Sequence, residues 1–229
     1  MENLFANTGI GKHIIRTHHW GIVLPTLEKA EAFMKTLVLD TCHKYIVVGC
    51  FENDQCLSSW NEWAWKQQSE RFFEALNTCM DQVGWECDDL DQIVLTEGPG
   101  SYTGERIAMT FAKVLCTQKP IDLYTIPTYL IFAGQNSGEV ILDARSNRVY
   151  CGTCENGRLV SETIKTLDQI KEDKDKGINI MGDTYLIGEE NKEIDLAANF
   201  IAVKCSWKKV ANVHTLTPHY LKNKEELVK

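Results

Sequence analysis

DLDQIVLTEGPGSYTGERIAMTFAKVLC, residues Asp89–Cys116, carries the reading of the fold. Ile93, Val94 and Leu95 form the short apolar run of a buried strand, and Ile107, Phe111, Val114 and Leu115 recur at helical spacing. Between them lies GPGSYTG, where Gly98 and Gly100 supply positive φ or close backbone approach and Ser101 or Thr103 caps the helix that follows. A strand, a glycine turn and a helix N-terminus make either a cradle for an anion or an ordinary connection in an α/β fold. Two sharper motifs fail here. A nucleophile elbow needs glycine two residues either side of its serine, and Ser101 has Pro99 and Thr103 there. A Walker A loop needs Gly-Lys-Ser/Thr, whereas Gly104 is followed by Glu105 and Arg106. ANTGIGKH at Ala6–His13 has Gly11-Lys12, but neither the magnesium-binding hydroxyl nor a preceding strand.

Outward from this turn, strands are expected at Leu37–Thr41, Tyr45–Phe51 and Cys56–Trp60, a β meander separated by turn residues. A helix is expected over Asn61–Val83, with Trp65, Phe72, Phe73, Leu76, Met80 and Val83 as its apolar stripe, Asn61 as N-cap and Gly84 as terminator. The Ile93 strand, the Ile107 helix and a strand at Leu123–Ile126 complete a βββαβαβ order. A similar order restarts with Glu139–Leu142, a hairpin of Arg148–Glu155 and Arg158–Ile164 around Asn156-Gly157, a helix at Thr166–Lys174 and a strand at Ile178–Met181. Ala197–Val203 and the stretch after Trp207 stay ambiguous. Each half opens with a strand ending in aspartate, Asp40 and Asp143. The expected fold class is therefore α/β: two ribonuclease H-like lobes, residues 34–134 and 135–229, with mixed sheets flanked by helices as in actin, sugar kinases and heat-shock chaperones. Residues 1–33 lack sustained periodicity and read as an N-terminal extension, an upstream translation start or a small lid.

Composition narrows the function. With 24 Lys and Arg against 32 Asp and Glu, the net charge of −8 argues against this chain alone gripping a phosphate backbone. No apolar window approaches a membrane span and the N-terminus lacks a secretory pattern, so the expected location is the cytoplasm. Nine cysteines, an odd number, read as reduced thiols, and Cys151 and Cys154 form the only CxxC. No second CxxC or HxxxH pair accompanies it, so no metal site is expected and the pair reads as strand residues.

Three ordered motifs make the chain resemble the TsaB family, formerly called YeaZ, of tRNA threonylcarbamoyladenosine biosynthesis subunits. GPGSYTGERI is similar to the family's GPGSFTGLRIG, DARSNRVY to its DARRGEVY, and Pro218–Lys222 to its terminal PxYLR; the resemblance covers Met34 to about Asn223. It implies a non-catalytic paralogue of the transferase TsaD, paired with it through the two helices of the N-terminal half and joined by the ATPase TsaE. That complex transfers a threonylcarbamoyl group to the adenosine 3′ of the anticodon, so tRNA is met only indirectly. Alone, such a chain is expected to dimerise through the same surface.

The residues agree with a supporting role. TsaD holds its metal through an HxxxH pair on the helix that here reads KQQSERFFEAL, with Gln67 and Gln68 and no histidine. Trp63, Trp65, Phe72 and Phe73 offer more aromatic surface than one sheet face absorbs. Off the apolar stripes, Arg71, Ala75, Arg106, Met109, Thr110 and Lys113 are expected to meet the partner. Gly98, Gly100, Ser101, Thr103 and Gly104 read as a vestigial phosphate loop, with Glu105 as a helix-start charge that would repel phosphate. No catalytic residue and no resident cofactor are expected, though ATP or ADP at a subunit boundary of the complex stays open. Asp40 and Asp143 keep one rival alive: in kinases of this architecture a strand-end aspartate orients magnesium or the attacking group, so an ATP-dependent phosphotransferase is the alternative.

Overall fold

The computed structural model describes residues 33–221. All but the last residue of the expected extension, residues 1–33, lies outside them. The meander is present as β1 (Lys35–Asp40), β2 (Tyr45–Glu52) and β3 (Gln55–Trp63), followed by α1 (Gln68–Val83), β4 (Gln92–Thr96), α2 (Gly104–Gln118) and β5 (Asp122–Ile126). Then come α3 (Thr128–Ala133), β6 (Gly138–Asp143), β7 (Arg148–Glu155), β8 (Arg158–Thr166), α4 (Leu167–Asp175), β9 (Ile180–Gly182), α5 (Leu196–Ala202) and a two-residue β10 (Lys208–Lys209). The first sheet has the order β10-β5-β4-β1-β2-β3, with β1, β4 and β5 parallel and the outer strands antiparallel. The second, β8-β7-β6-β9, repeats the antiparallel meander and pairs β9 parallel to β6. This is the mixed α/β, ribonuclease H-like plan, twice.

Burial explains why β1 and β4 are apolar throughout rather than alternating. Leu37, Leu39, Ile93 and Leu95 point to one face, where Phe72, Ala75, Leu76, Ala108 and Ala112 of α1 and α2 cover them. Val38, Val47 and Val94 point to the other, where they share a core with α3, α5 and Val140 and Leu142 of the second sheet. A third cluster, under α4, holds Ile141, Val149, Cys151, Ile170 and Ile180. Cys151 and Cys154 both lie in β7 but join different clusters, as strand residues rather than a paired site. Among the described residues no helix is long and apolar enough to cross a membrane.

The expected helix from Asn61 is corrected. β3 runs on to Trp63, pairing Asn61 with Val47 and Trp63 with Tyr45. The ladder bonds to β2 override the local pattern, and Lys66, at φ 67°, then turns the chain so that α1 starts only at Gln68 with no side-chain cap. Gly84 ends α1 in the left-handed conformation, as its position indicated. α3 was not legible: its six residues are all buried, so it carries no periodicity to read. The ambiguous Ala197–Val203 stretch is α5, capped by the Asp195 carboxylate accepting from the Ala198 amide at 2.9 Å. α4 opens with a capping box in which Thr166 accepts from the Gln169 amide and Gln169 returns the bond. Thr166→Ala is expected to cost about 1 kcal/mol, a fall of about 2–4 °C in Tm by circular dichroism; an unchanged Tm would show that this cap contributes nothing.

Candidate functional site

The glycine turn is pressed onto the loop between β1 and β2. The Ser101 amide donates to the Cys42 carbonyl at 2.6 Å, and the Thr41 hydroxyl donates to the Gly104 carbonyl at 2.7 Å. A Cβ on Gly100 would collide with the Cys42 carbonyl oxygen, and one on Gly104 with that of Thr41. Glycine is required at both for backbone to lie against backbone. Ser101 caps α2, its hydroxyl accepting from the Gly104 amide at 3.2 Å, while Thr103 makes no capping bond. The amides of Ser101, Gly104 and Glu105 are thus engaged within the protein, the last by the Ser101 carbonyl at 2.8 Å. What the turn presents outward is the exposed side chains of Ser101, Tyr102 and Thr103.

Glu105 is corrected from a helix-start charge facing a ligand to a buried acid. Its side chain folds beneath the turn toward Gly98, 1% of the residue is exposed, and neither carboxylate oxygen has a hydrogen-bond partner among the described residues. Asp40, fully buried, accepts from the Cys42 amide at 2.9 Å and from the Thr96 hydroxyl. Burial raises the Asp40 carboxyl, against those two bonds and His43. Burial also pushes Glu105 up to about 8; the Gly100 amide approaches and offsets part of the rise, and the Asp40 charge adds to it. Sealed under the turn, Asp40 is badly placed to orient a metal or an attacking group.

A pH-dependent stability follows. In the unfolded chain Glu105 titrates near 4.3, so its contribution is full below that value and is lost as pH rises through about 8. Glu105→Gln, neutral at every pH, is expected to melt above the native chain by about 3–6 °C at pH 8.5, with the gap shrinking steadily toward pH 5. A gap independent of pH would show that Glu105 is not a buried titrating acid.

Beside the turn opens a cleft of about 460 Å³, bounded by the β1–β2 loop, the start of α1, the turn after β6 and Tyr220. Asp143 faces it, 3.4 Å from Lys44 and 3.6 Å from Arg145. Deeper, Asp183 lies 3.0 Å from His43 and 3.7 Å from Lys44. Burial would raise the Asp183 carboxyl, but the hydrogen bond and electrostatic pull of His43, the Lys44 ammonium and the Asp143 amide together hold it below the usual range. Gln68 is buried and donates to the His43 carbonyl at 3.0 Å, tying α1 to the same loop.

The residues expected to meet a partner divide three ways. Arg106 and Thr110 are exposed on α2. Ala75 and Met109 are buried, which corrects their placement off the apolar stripes. Ala75 is three residues from Phe72 and Met109 three from Ala112, so each helix turns it toward the sheet. Arg71 and Lys113 are engaged within the chain. Arg71 bonds Glu62 at 2.9 Å and Glu74 at 2.7 Å, and Lys113 donates to the Leu216 carbonyl at 2.7 Å and that of His214 at 3.3 Å. Two residues assigned to the stripes are instead outside: Phe73 is 54% and Val114 53% exposed. Phe111 joins Phe73 to the core, its ring 6.2 Å from Phe73 and 5.7 Å from buried Phe72. The signal for Phe73 was available, since adjacent helical residues point about 100° apart and cannot both face one sheet.

Comparison with known proteins bears on this arrangement. Residues 62–220 match the family model described as TsaD: tRNA N6-adenosine threonylcarbamoyltransferase. The chain is 27% identical over 218 aligned residues to the tRNA threonylcarbamoyladenosine biosynthesis protein TsaB of Bacillus subtilis, covering 82% of this chain and 94% of that protein. In fold it is similar to YeaZ from Pseudomonas aeruginosa, with a TM-score of 0.63 and 20% identity over 82% of this chain and all of the other. A second structure, an uncharacterized protein with similarity to peptidase YEAZ from Pseudomonas aeruginosa, gives a TM-score of 0.62 at 18% identity, again over 82% of this chain and all of that one.

Proposed function

This chain belongs to the TsaD family of tRNA N6-adenosine threonylcarbamoyltransferases, in its TsaB/YeaZ group, and on that premise we propose that it serves tRNA threonylcarbamoyladenosine biosynthesis as a non-catalytic subunit that scaffolds and activates TsaD. TsaE joins the pair, tRNA is met through the complex, and the setting is the cytoplasm. Without its partner the chain forms a homodimer through the same helices.

The observation that carries this reading is the aromatic face of α1 and α2. Phe73 stands in solvent against the Phe111 ring, and Val114 stands in solvent on α2 with Arg106 and Thr110 along the same helix. A large apolar side chain left outside on two adjoining helices is what an interface core needs. Asp40, buried beneath the glycine turn, gives no support to the rival phosphotransferase.

Mixing the full chain with TsaD from the same source and measuring mass by light scattering is expected to give a heterodimer heavier than TsaD by 26.0 kDa. Omitting the chain from a reconstituted tRNA modification assay should abolish threonylcarbamoyladenosine. No heterodimer at micromolar concentration, or full modification without the chain, would overturn the proposal. ATP hydrolysis by the chain alone, lost in Asp40→Asn, would favour the phosphotransferase instead.

A further inference from the structure

From the open edge of β9 we infer that this chain takes up a short extended peptide there, one with alternating basic and apolar residues, as an added strand of the second sheet. The inference concerns the chain alone and stands or falls apart from any association with TsaD.

The two sheets differ at one position. In the first, β4 lies between β1 and β5 and is parallel to both. Its counterpart in the second is β9, which follows the helix α4 and pairs parallel to β6. No described strand covers the other side of β9, so it ends the sheet. The chain supplies its own strand at this position in one lobe and not in the other.

The backbone of β9 is set for such a strand. The Asn179 carbonyl accepts from the Glu139 amide at 2.9 Å, and the Asp183 amide donates to the Ile141 carbonyl at 2.8 Å. In a trans peptide the N–H and C=O point opposite ways, so the Ile180 N–H and the Gly182 carbonyl face away from β6. A donor and an acceptor on a sheet edge are what an incoming strand pairs with. At about 3.3 Å per residue, β9 offers roughly 10 Å of edge, enough for about three residues of a peptide.

A groove of about 400 Å³ runs along this edge, with Ala198 and Asn199 of α5 on its far side. Buried Phe132, Ile180 and Met181 and half-buried Ile194 give it an apolar lining that seats the alternate side chains of a strand. Its polar groups are acceptors. Asn136, Asn179 and Asn199 spend their amide hydrogens on the carbonyls of Ala133, Ser137 and Ile131, and no described residue donates to their carboxamide oxygens. The rim, Glu189–Asp195, carries four carboxylates against Lys192. Glu189 is bonded to Lys174 and an oxygen of Asp195 caps α5, but the side chains of Glu190 and Glu193 have no partner among the described residues. In a chain of net charge −8, acceptors and unpaired carboxylates beside an open strand edge call for lysine or arginine on the incoming peptide.

Fluorescence anisotropy of a labelled heptapeptide alternating lysine and valine, titrated with the full chain in 0.15 M salt, tests this. Saturable binding with a Kd below about 1 mM is expected, and at least about tenfold weaker binding when glutamate replaces each lysine. Two further peptides keep the charge and carry N-methyl groups, one on every valine amide and one on every lysine amide. Alternate residues of a strand direct their N–H groups to opposite edges, so one of these peptides should lose at least about tenfold in affinity and the other little. Ala198→Trp, which fills the groove, should weaken binding at least about tenfold and Glu193→Lys at least about threefold. Glu193 is exposed on a loop, so its variant keeps the test valid even where Ala198→Trp fails to fold. No binding at 1 mM, tighter binding of the glutamate peptide, equal affinity of the two methylated peptides, or binding indifferent to both substitutions would overturn the inference.

Discussion

Phe73→Glu is expected to raise the Kd for TsaD by at least about 30-fold, the effect of removing one aromatic anchor from an interface core. The substitution places a carboxylate where a desolvated apolar contact is proposed, so it adds repulsion to the lost area. The fold should tolerate it, because Phe73 is 54% exposed and the stripe that covers the sheet consists of Phe72, Ala75, Leu76, Cys79 and Met80. Tm should therefore move by no more than about 2–4 °C, within about 1 kcal/mol. Val114→Glu, on the adjoining helix, should act in the same direction. Val160→Glu is the control: that residue is 59% exposed, but on β8 of the other sheet, and binding should be unchanged. Titration by calorimetry separates the cases. Native affinity in both Phe73→Glu and Val114→Glu would remove this face as the contact.

The second large effect is on the fold. Gly104→Ala is expected to cost about 3 kcal/mol or more, a loss of roughly 6–12 °C in Tm. The new Cβ would strike the Thr41 carbonyl oxygen, a backbone atom that has nowhere to retreat. Moving α2 away from β1 would also break the bond from Thr41 to the Gly104 carbonyl and the one it accepts from the Ala108 amide at 3.2 Å. Gly177→Ala makes the comparison: φ there is 86°, but nothing lies within 4 Å of the added carbon, so only the left-handed strain of about 1 kcal/mol applies. Thermal unfolding by circular dichroism should rank the two clearly. Equal losses would show that the turn is not clamped against the β1–β2 loop.

The order of elements was legible because each buried strand announces itself as an apolar run bounded by turn residues, and because Gly84 and the Asn156-Gly157 pair can serve few other purposes. Tyr45–Glu52 and Arg148–Glu155 were read to within a residue. Trp63 and Trp65 were not. Both fell within the expected helix, Trp65 on its stripe seven residues before Phe72, and only pairing with β2 keeps the first in a strand and leaves the second at the cleft mouth. The site was legible in parts: the glycine turn, Asp40 and Asp143 all border or underlie it. Lys44, His43, Lys66 and Arg145 carried no mark, since nothing local tells a charge at a groove from one in open solvent.

Glu105 draws the line most clearly. Glycine spacing, alternating burial and two aspartate-ended strands are properties of short segments, set by local sterics and by the period of the chain, and from them followed the α/β class and the doubled meander. Whether a charge one residue into a helix meets water or lies under a turn beside Asp40 depends on what packs over it. That is decided by contacts between Gly100 and Cys42, and between Gly104 and Thr41, which are about sixty residues apart in the chain. The same holds for Phe73 against Phe72: the residues are chemically identical, and only the position of the sheet determines which one is buried and which one remains outside.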